Sequence, residues 1–240
     1  MKEETKIVIA LILCNSSETI ERTLGSIMSQ SYKNFTCYVI DDKSTDHSVE
    51  LINEFIEGDD RFALIQNPTK KYQAGNLEMV CRELPEVNDE DIIVEIAGGD
   101  RLANRKVLEK IVNLYSEDDI WIAHGSITEW ERQNPVRDLS KLRSGEYPMK
   151  NIRTWKAFLW RAMEPSDMKD SDGDWWSMTA QFVYMYDMIE MATLEHYSYI
   201  PVETYKANPH DDTDWEQRLP YINMVKQIVK RKKPKLPLVR

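Results

Sequence analysis

The sequence predicts an α/β protein with a mainly parallel sheet flanked by helices. Three observations predict it. Short β-branched runs recur through the first half, helical patterns separate them, and Ser, Thr and Asp stand where those helices would start. Strand and helix in alternation make βαβ units, whose right-handed crossovers lay helices on the sheet faces.

Lys6–Cys14, with "IVIALILC", supplies the first strand, and Phe35–Ile40 the second. Arg61–Gln66, Ile92–Ile96 and Ile120–Ala123 give three more, each short and bounded by polar residues. Between the first two strands, "ETIERTLGSIMSQ" sets Ile20, Leu24, Ile27 and Met28 on one helical face. "SVELINEFI" repeats the pattern with Val49, Ile52 and Phe55. Ser16 or Ser17 is expected to cap the first helix, and Ser44 or Thr45 the second. After about Gly125 the alternation fades, and six of the seven tryptophans follow, which points to a different task for this half. There "QFVYMYDMIEMA" carries Phe182, Met185, Tyr186 and Ile189 at helical spacing, while the tryptophans of "DGDWW" suit stacking on a sugar face. The expected organisation is one domain over 1–240. Its expected parts are 1–125, where strand and helix alternate, 126–215, which is aromatic and irregular, and 216–240, a helical basic tail.

Composition removes several functions. A net charge of −10 argues against a general nucleic-acid binder, although "KQIVKRKKPKLPLVR" gathers basic residues suited to an anionic membrane surface. No apolar run reaches the length of a membrane span, and "IVIALILC" reads as neither span nor secretory signal. Cys14, Cys37 and Cys81 form no C-x-x-C pair and read as free thiols, favouring the cytoplasm. The chain has neither a P-loop nor G-x-G-x-x-G, so kinase, NTPase and dinucleotide readings lack a phosphate cradle. A generic α/β nucleotide-binding protein stays open on these grounds.

Ligands of parallel sheets collect beyond the carboxyl ends of the strands. Those ends read "CNSSE", "DDKSTD", "NPTKKY" and "AGGD". Asp41 and Asp42 could accept hydrogen bonds from a base or a ribose, or could simply cap a helix. Gly98 and Gly99 would let a ligand approach the backbone, with Asp100 beside them to hold a metal or a hydroxyl.

The ordered set "VIALILCNSSETIERTLGSIMSQSYKNFTCYVIDDKSTDHSVELI" resembles the amino-terminal segment of inverting GT-A glycosyltransferases of family 2. That family runs strand, Asn, helix with "SI..Q.Y.N", strand, then "DDxSTD". The second half is similar to the acceptor-side region of a subgroup seen in large viruses and bacteria. Arg153 and Thr154 match its "RT", Glu190–Ala192 its "EMA", and Asn208–Pro209 with Asp211 or Asp212 its "NPxND". The resemblance implies a nucleotide-sugar donor, UDP-linked, and a glycan or other hydroxyl acceptor. It implies that Asn15 and Glu18 lie near the nucleotide, that Asp41 or Asp42 meets the uracil or ribose, and that Lys70–Asn76, with Lys71 and Asn76, borders base and phosphates.

A departing diphosphate needs a divalent metal or fixed cations, and the acceptor hydroxyl needs a base. The family supplies oxygen ligands for Mn2+ or Mg2+ through "DGDDWL". "AGGDRL" lies over it, with Ala97 and Gly99 where the two metal-binding aspartates belong. Asp100 is then expected to hold the metal with help from His210 or Asp211, or Arg101 and lysines to replace it. The family's acceptor-side aspartate corresponds to Gln181, which can orient a hydroxyl but cannot take its proton. Asp187 and Glu190 are the candidate bases. The alternative is a degenerate GT-A protein that binds nucleotide or glycan, or serves as a partner subunit, without turnover.

Overall fold

A computed structural model describes residues 5–117, 119–126, 135–144, 152–208 and 215–240, without the side chains of 126 and 215–218. "IVIALIL" forms β1 (Ile7–Leu13), because an almost uninterrupted apolar run suits a strand buried on both faces. The elements that follow are α1 (Ile20–Met28), β2 (Phe35–Asp41), α2 (Ser48–Ile56), β3 (Phe62–Gln66) and α3 (Tyr72–Glu78), which a π-helical turn extends to Glu83. Next come β4 (Ile92–Ala97), β5 (Arg101–Leu102), α4 (Val107–Glu117), β6 (Ile122–Ser126), β7 (Arg153–Lys156) and α5 (Ala157–Arg161). The chain continues with α6 (Gln181–Ala192), β8 (Tyr197–Glu203), β9 (Tyr205–Lys206) and α7 (Trp215–Arg231).

The main sheet has the order β3-β2-β1-β4-β7-β6-β8. β1 pairs parallel with β2 and β4, and β2 with β3. β7 is antiparallel to both β4 and β6, and β8 parallel to β6. Among the described strands of this sheet β7 alone runs against the rest. The carboxyl ends of the other strands therefore share one edge. β5 and β9 form a separate two-stranded ribbon beside it, with Arg101 opposite Lys206 and Leu102 opposite Tyr205.

Strand alternation sends Ile7, Ile9 and Leu11 to one face, where they pack with Leu24, Ile52 and Ile111 of α1, α2 and α4. Val8, Ala10 and Ile93 face the other way, onto a core that includes Leu77, Trp160, Tyr184 and Val225 from α3, α5, α6 and α7. α6 is buried along nearly its whole surface, from Phe182 to Ala192, rather than along the one-sided stripe its spacing suggests. The basic tail is helical only as far as Arg231. Beyond it, Lys232 and Lys235 pair with Asp167, Arg240 pairs with Glu90, and the Leu238 amide donates to the Met191 carbonyl. Cys14, Cys37 and Cys81 are free.

Candidate functional site

The loop after β1 and the loop after β2 are laced together. Asn15 adopts φ 54°, a left-handed turn that Asn tolerates because its short side chain bonds nearby. Its Oδ1 accepts from the Thr45 amide at 2.8 Å, and its own amide donates to Ser44 Oγ at 2.8 Å. The Ser16 amide donates to Ser48 Oγ, and the Ser17 amide to Asp46 Oδ2 at 3.0 Å. Asp46 Oδ1 also takes the Ser48 amide at the start of α2, whose N-cap residue His47 makes no side-chain cap bond, whereas Ser44 and Thr45 bond to Asn15. α1 has no side-chain cap, and the Ser16 carbonyl accepts the amides of Thr19 and Ile20. Burial pushes the Asp46 carboxyl up, but donors from Ser48 and Ser17 outweigh it and hold the group down at about 2.

The paired aspartates after β2 face protein donors. Asp41 accepts the Ser44 amide. Asp42 accepts Asn67 Nδ2 and the Lys71 amide at 2.8 Å, and the Tyr72 amide at 2.9 Å. Asn76 is fully buried, with Oδ1 taking Asn67 Nδ2 and Nδ2 donating to the Tyr72 carbonyl. The Lys71 ammonium turns to Met79 Sδ. These residues shape the rim that the resemblance assigns to the base, and Asp42 and Tyr72 are the ones among them that also line the cleft.

At the end of β4 the glycines are required. A Cβ on Gly98 would lie 2.4 Å from Leu13 Cβ and 3.0 Å from Leu13 Cα, so only Gly lets the turn press onto β1. Gly99 has φ +96°. Asp100 is buried, with Oδ2 accepting Tyr205 OH and Oδ1 the Asn208 amide, each at 2.8 Å. The Tyr205 oxygen in turn accepts the Ala97 amide at 3.2 Å. Burial, reinforced by the Asp100 charge, holds the Tyr205 phenol well above its usual range and keeps it a donor. Asp100 thus ties the turn to β9. Arg101 is exposed on β5.

These pieces enclose a cleft of about 620 Å³ at the carboxyl edge of β1, β2 and β4. Asn15, Glu18, Asp42 and Gly98 line it, as do Ser16, Ser17, Thr19, Asp46, Lys70, Tyr72, Gln73, Ala97, Ser177 and Asn208. Asp41, Lys71, Asn76, Gly99, Asp100, Arg101 and Gln181 are not among the residues on its walls. Gln181 starts α6. Tyr72, at φ 54°, Lys70, Gln73, Ala97 and Asn208 all lie in or beside stretches the sequence singles out.

Asp187 and Glu190 are not brought to the cleft. Arg143 donates to Asp187 Oδ1 at 2.6 Å and to both oxygens of Glu190, at 2.6 and 2.7 Å, and the Lys235 amide donates to Glu190 at 2.8 Å. Because α6 is buried on nearly every side, its carboxylates need an internal countercharge, and Arg143 and the tail provide it. Burial pushes the Asp187 carboxyl up against the pull of Arg143.

Nor do the described residues fit a divalent metal. No group of three or more His, Cys, Asp or Glu side chains among them could hold one, and each Asp100 oxygen already accepts a protein donor. His210, Asp211 and Asp212 lie outside the described residues.

A mostly parallel sheet with a polar cleft at its carboxyl edge and an aromatic second half closing one side is the architecture of GT-A glycosyltransferases. Solved structures of that kind share it. A mannosyltransferase from Pyrobaculum calidifontis, solved with GDP-Man and Mn2+, superposes with a TM-score of 0.68 at 14% identity, over 97% of this chain and 66% of that one. S. aureus TarS 1-349 with UDP-GlcNAc superposes at 0.63 and 12% identity, over 94% and 66%. The family model for glycosyl transferase family 2 matches residues 8–170, and the chain belongs to that family. An uncharacterized glycosyltransferase of Haemophilus influenzae is 32% identical over 120 residues, 50% of this chain and 46% of its own. The putative glycosyltransferase EpsE of Bacillus subtilis is 35% identical over 78 residues, 32% and 28%. The aligned regions span less than half the length of these two relatives.

Proposed function

We propose that this protein transfers a sugar from a nucleoside-diphosphate sugar, UDP-linked, to a hydroxyl of a glycan or other acceptor, with inversion at the anomeric carbon. The observation that carries the reading is the laced cleft over β1, β2 and β4 in a chain of family 2. Relatives solved with UDP-GlcNAc and GDP-Man support a nucleotide-sugar donor. Lys70 is the cationic side chain on the cleft wall among the described residues and would face the diphosphate. The acceptor would enter beside α7, where Tyr221, Met224 and Trp176 line a groove that meets the cleft through the Ser177–Tyr221 hydrogen bond at 3.2 Å.

A second reading, binding without turnover, draws support from Ala97 and Gly99 at the expected metal positions and from the tethered Asp100. Calorimetry with UDP-, GDP- and dTDP-sugars, followed by product analysis, separates the two. The transferase reading expects one preferred donor and transfer or slow hydrolysis. Binding with no turnover of any donor, with or without Mn2+, would establish the second reading instead. Free buried thiols at Cys37 and Cys81 support a reducing compartment, hence a cytoplasmic site of action. No helix among the described residues is long and apolar enough to cross a membrane. Peripheral contact would fall to Lys226, Lys230, Arg231 and Lys233 beside the exposed Leu236 and Val239, since Lys232, Lys235 and Arg240 pair inward.

A further inference from the structure

Beneath the cleft floor lies a charged group that donor binding as outlined above does not use. Glu95 precedes Ala97 by two residues on β4 and therefore shares its face of the sheet, one step deeper. It is 3% exposed. Its register partner Arg153 on β7 grips it with two bonds, Nε to Oε2 at 2.8 Å and Nη2 to Oε1 at 2.7 Å. Tyr184 OH on α6 donates to Oε2 at 2.7 Å, and Gln73 Nε2 on α3 donates to Oε1. Four donors from three elements converge on one carboxylate.

That arrangement decides which way a primary amide points. A carboxylate gripped by arginine only accepts hydrogen bonds, so Gln73 must turn its NH2 inward. Its carbonyl Oε1 is then left for the cleft that Gln73 lines. Gln73 stands over β4 beside Ala97, and the partners of its anchor, Arg153 and Tyr184, belong to the second half of the chain. The group being transferred must lie at this end, between nucleotide and acceptor.

We infer that Gln73 recognises the donor's transferred sugar, its Oε1 accepting a hydrogen bond from a sugar hydroxyl, and that Glu95, held by Arg153 and Tyr184, is the positioning residue that fixes the amide. The inference rests on the nucleotide-sugar reading given above. A glutamine that could rotate would offer donor or acceptor equally. The buried carboxylate removes the choice and makes the site selective for a hydroxyl donor there.

Calorimetry with UDP, UDP-glucose and UDP-GlcNAc tests this on the wild type, Gln73→Leu and Glu95→Gln. Gln73→Leu is expected to weaken one or both UDP-sugars by about five- to tenfold, the size of one hydrogen bond, while UDP affinity stays within about twofold. Glu95→Gln should reproduce that selective loss, because its own amide lets Gln73 turn over. It should also move the Gln73 side-chain amide resonances, a signature that a merely structural role for Glu95 would not couple to sugar discrimination. Should Glu95→Gln fail to fold, the Gln73→Leu comparison and the wild-type Gln73 amide, expected to be shifted downfield and slow to exchange, still decide. Equal weakening of UDP and the UDP-sugars, no weakening of either, or a rapidly exchanging wild-type amide would overturn the inference. A wild type that binds none of the three would bring down the donor reading itself.

Discussion

Tyr205 donates its phenolic hydrogen to Asp100 across 2.8 Å while its oxygen receives the amide of Ala97, closing the turn that the sequence resemblance lays over the family's "DGDDWL". The aspartate is occupied with holding backbone. Asp100→Ala should therefore destabilise the fold by about 2–4 kcal/mol, since it leaves the Tyr205 hydroxyl and the Asn208 amide without their acceptor. Thermal melts measure that cost. Mn2+ titration calorimetry on the same variant should match the wild type, and a lost Mn2+ site would make Asp100 a ligand after all.

Arg143 pairs with both Asp187 and Glu190 inside the molecule. Arg143→Met should cost about 3–5 kcal/mol in urea unfolding, because two buried carboxylates lose their partner. Asp187→Asn should leave UDP affinity unchanged. A large fall in nucleotide binding with Asp187→Asn would return that residue to the site.

Gly98→Ala should remove nucleotide binding at a stability cost of about 1–3 kcal/mol, since the added methyl meets the Cα and Cβ of Leu13 rather than a flexible tip. Titration with UDP and a melting curve check both parts. Wild-type affinity in this variant would show that the β4 turn can move without consequence.

His124 is fully buried against Tyr197 OH at 2.8 Å. Burial, with a smaller contribution from the Arg153 charge, lowers it to about 4 from an ordinary 6.5. The neutral ring is the folded form, so its stabilisation is complete above pH 6.5 and drains away as pH falls through that value towards 4. The full span is worth about 3 kcal/mol. His124→Phe should flatten stability between pH 6.5 and 4, and an unchanged acid slope would assign that limb to other groups.

Much of the first half is legible in its residues because β1, β2 and β4 are parallel, almost wholly buried runs whose apolar content announces them, and the edge strand β3 keeps the same short apolar pattern. β1 to β4 begin and end within one or two residues of their expected bounds. β7 escapes notice because "RTWK" is four residues long and owes its strand state to pairing with β4 and β6. The site divides in a similar way. Asn15, Glu18, Asp42 and Gly98 sit at strand ends, where topology alone directs attention. Asp187 and Glu190 are candidate bases by their place in the acceptor-side segment that the resemblance covers, and only the fold reveals that Arg143, 44 residues from Asp187 in the chain, pairs with both. Gln73 falls within the singled-out Lys70–Asn76, but its orientation is not legible there because it depends on a partner 22 residues away on another strand.

The placement of β7 has a bearing on how such a chain can be cut or inherited. Residues 1–125 supply most of the described cleft wall, yet β4 finishes its pairing only when Arg153–Lys156 arrives, and β6 joins the sheet through that same strand. A fragment stopping near Gly125 would carry a bare apolar strand edge, a template for aggregation. The two halves are thus not separate folding units: neither can be exchanged as a module unless β7 travels with the strand it seals.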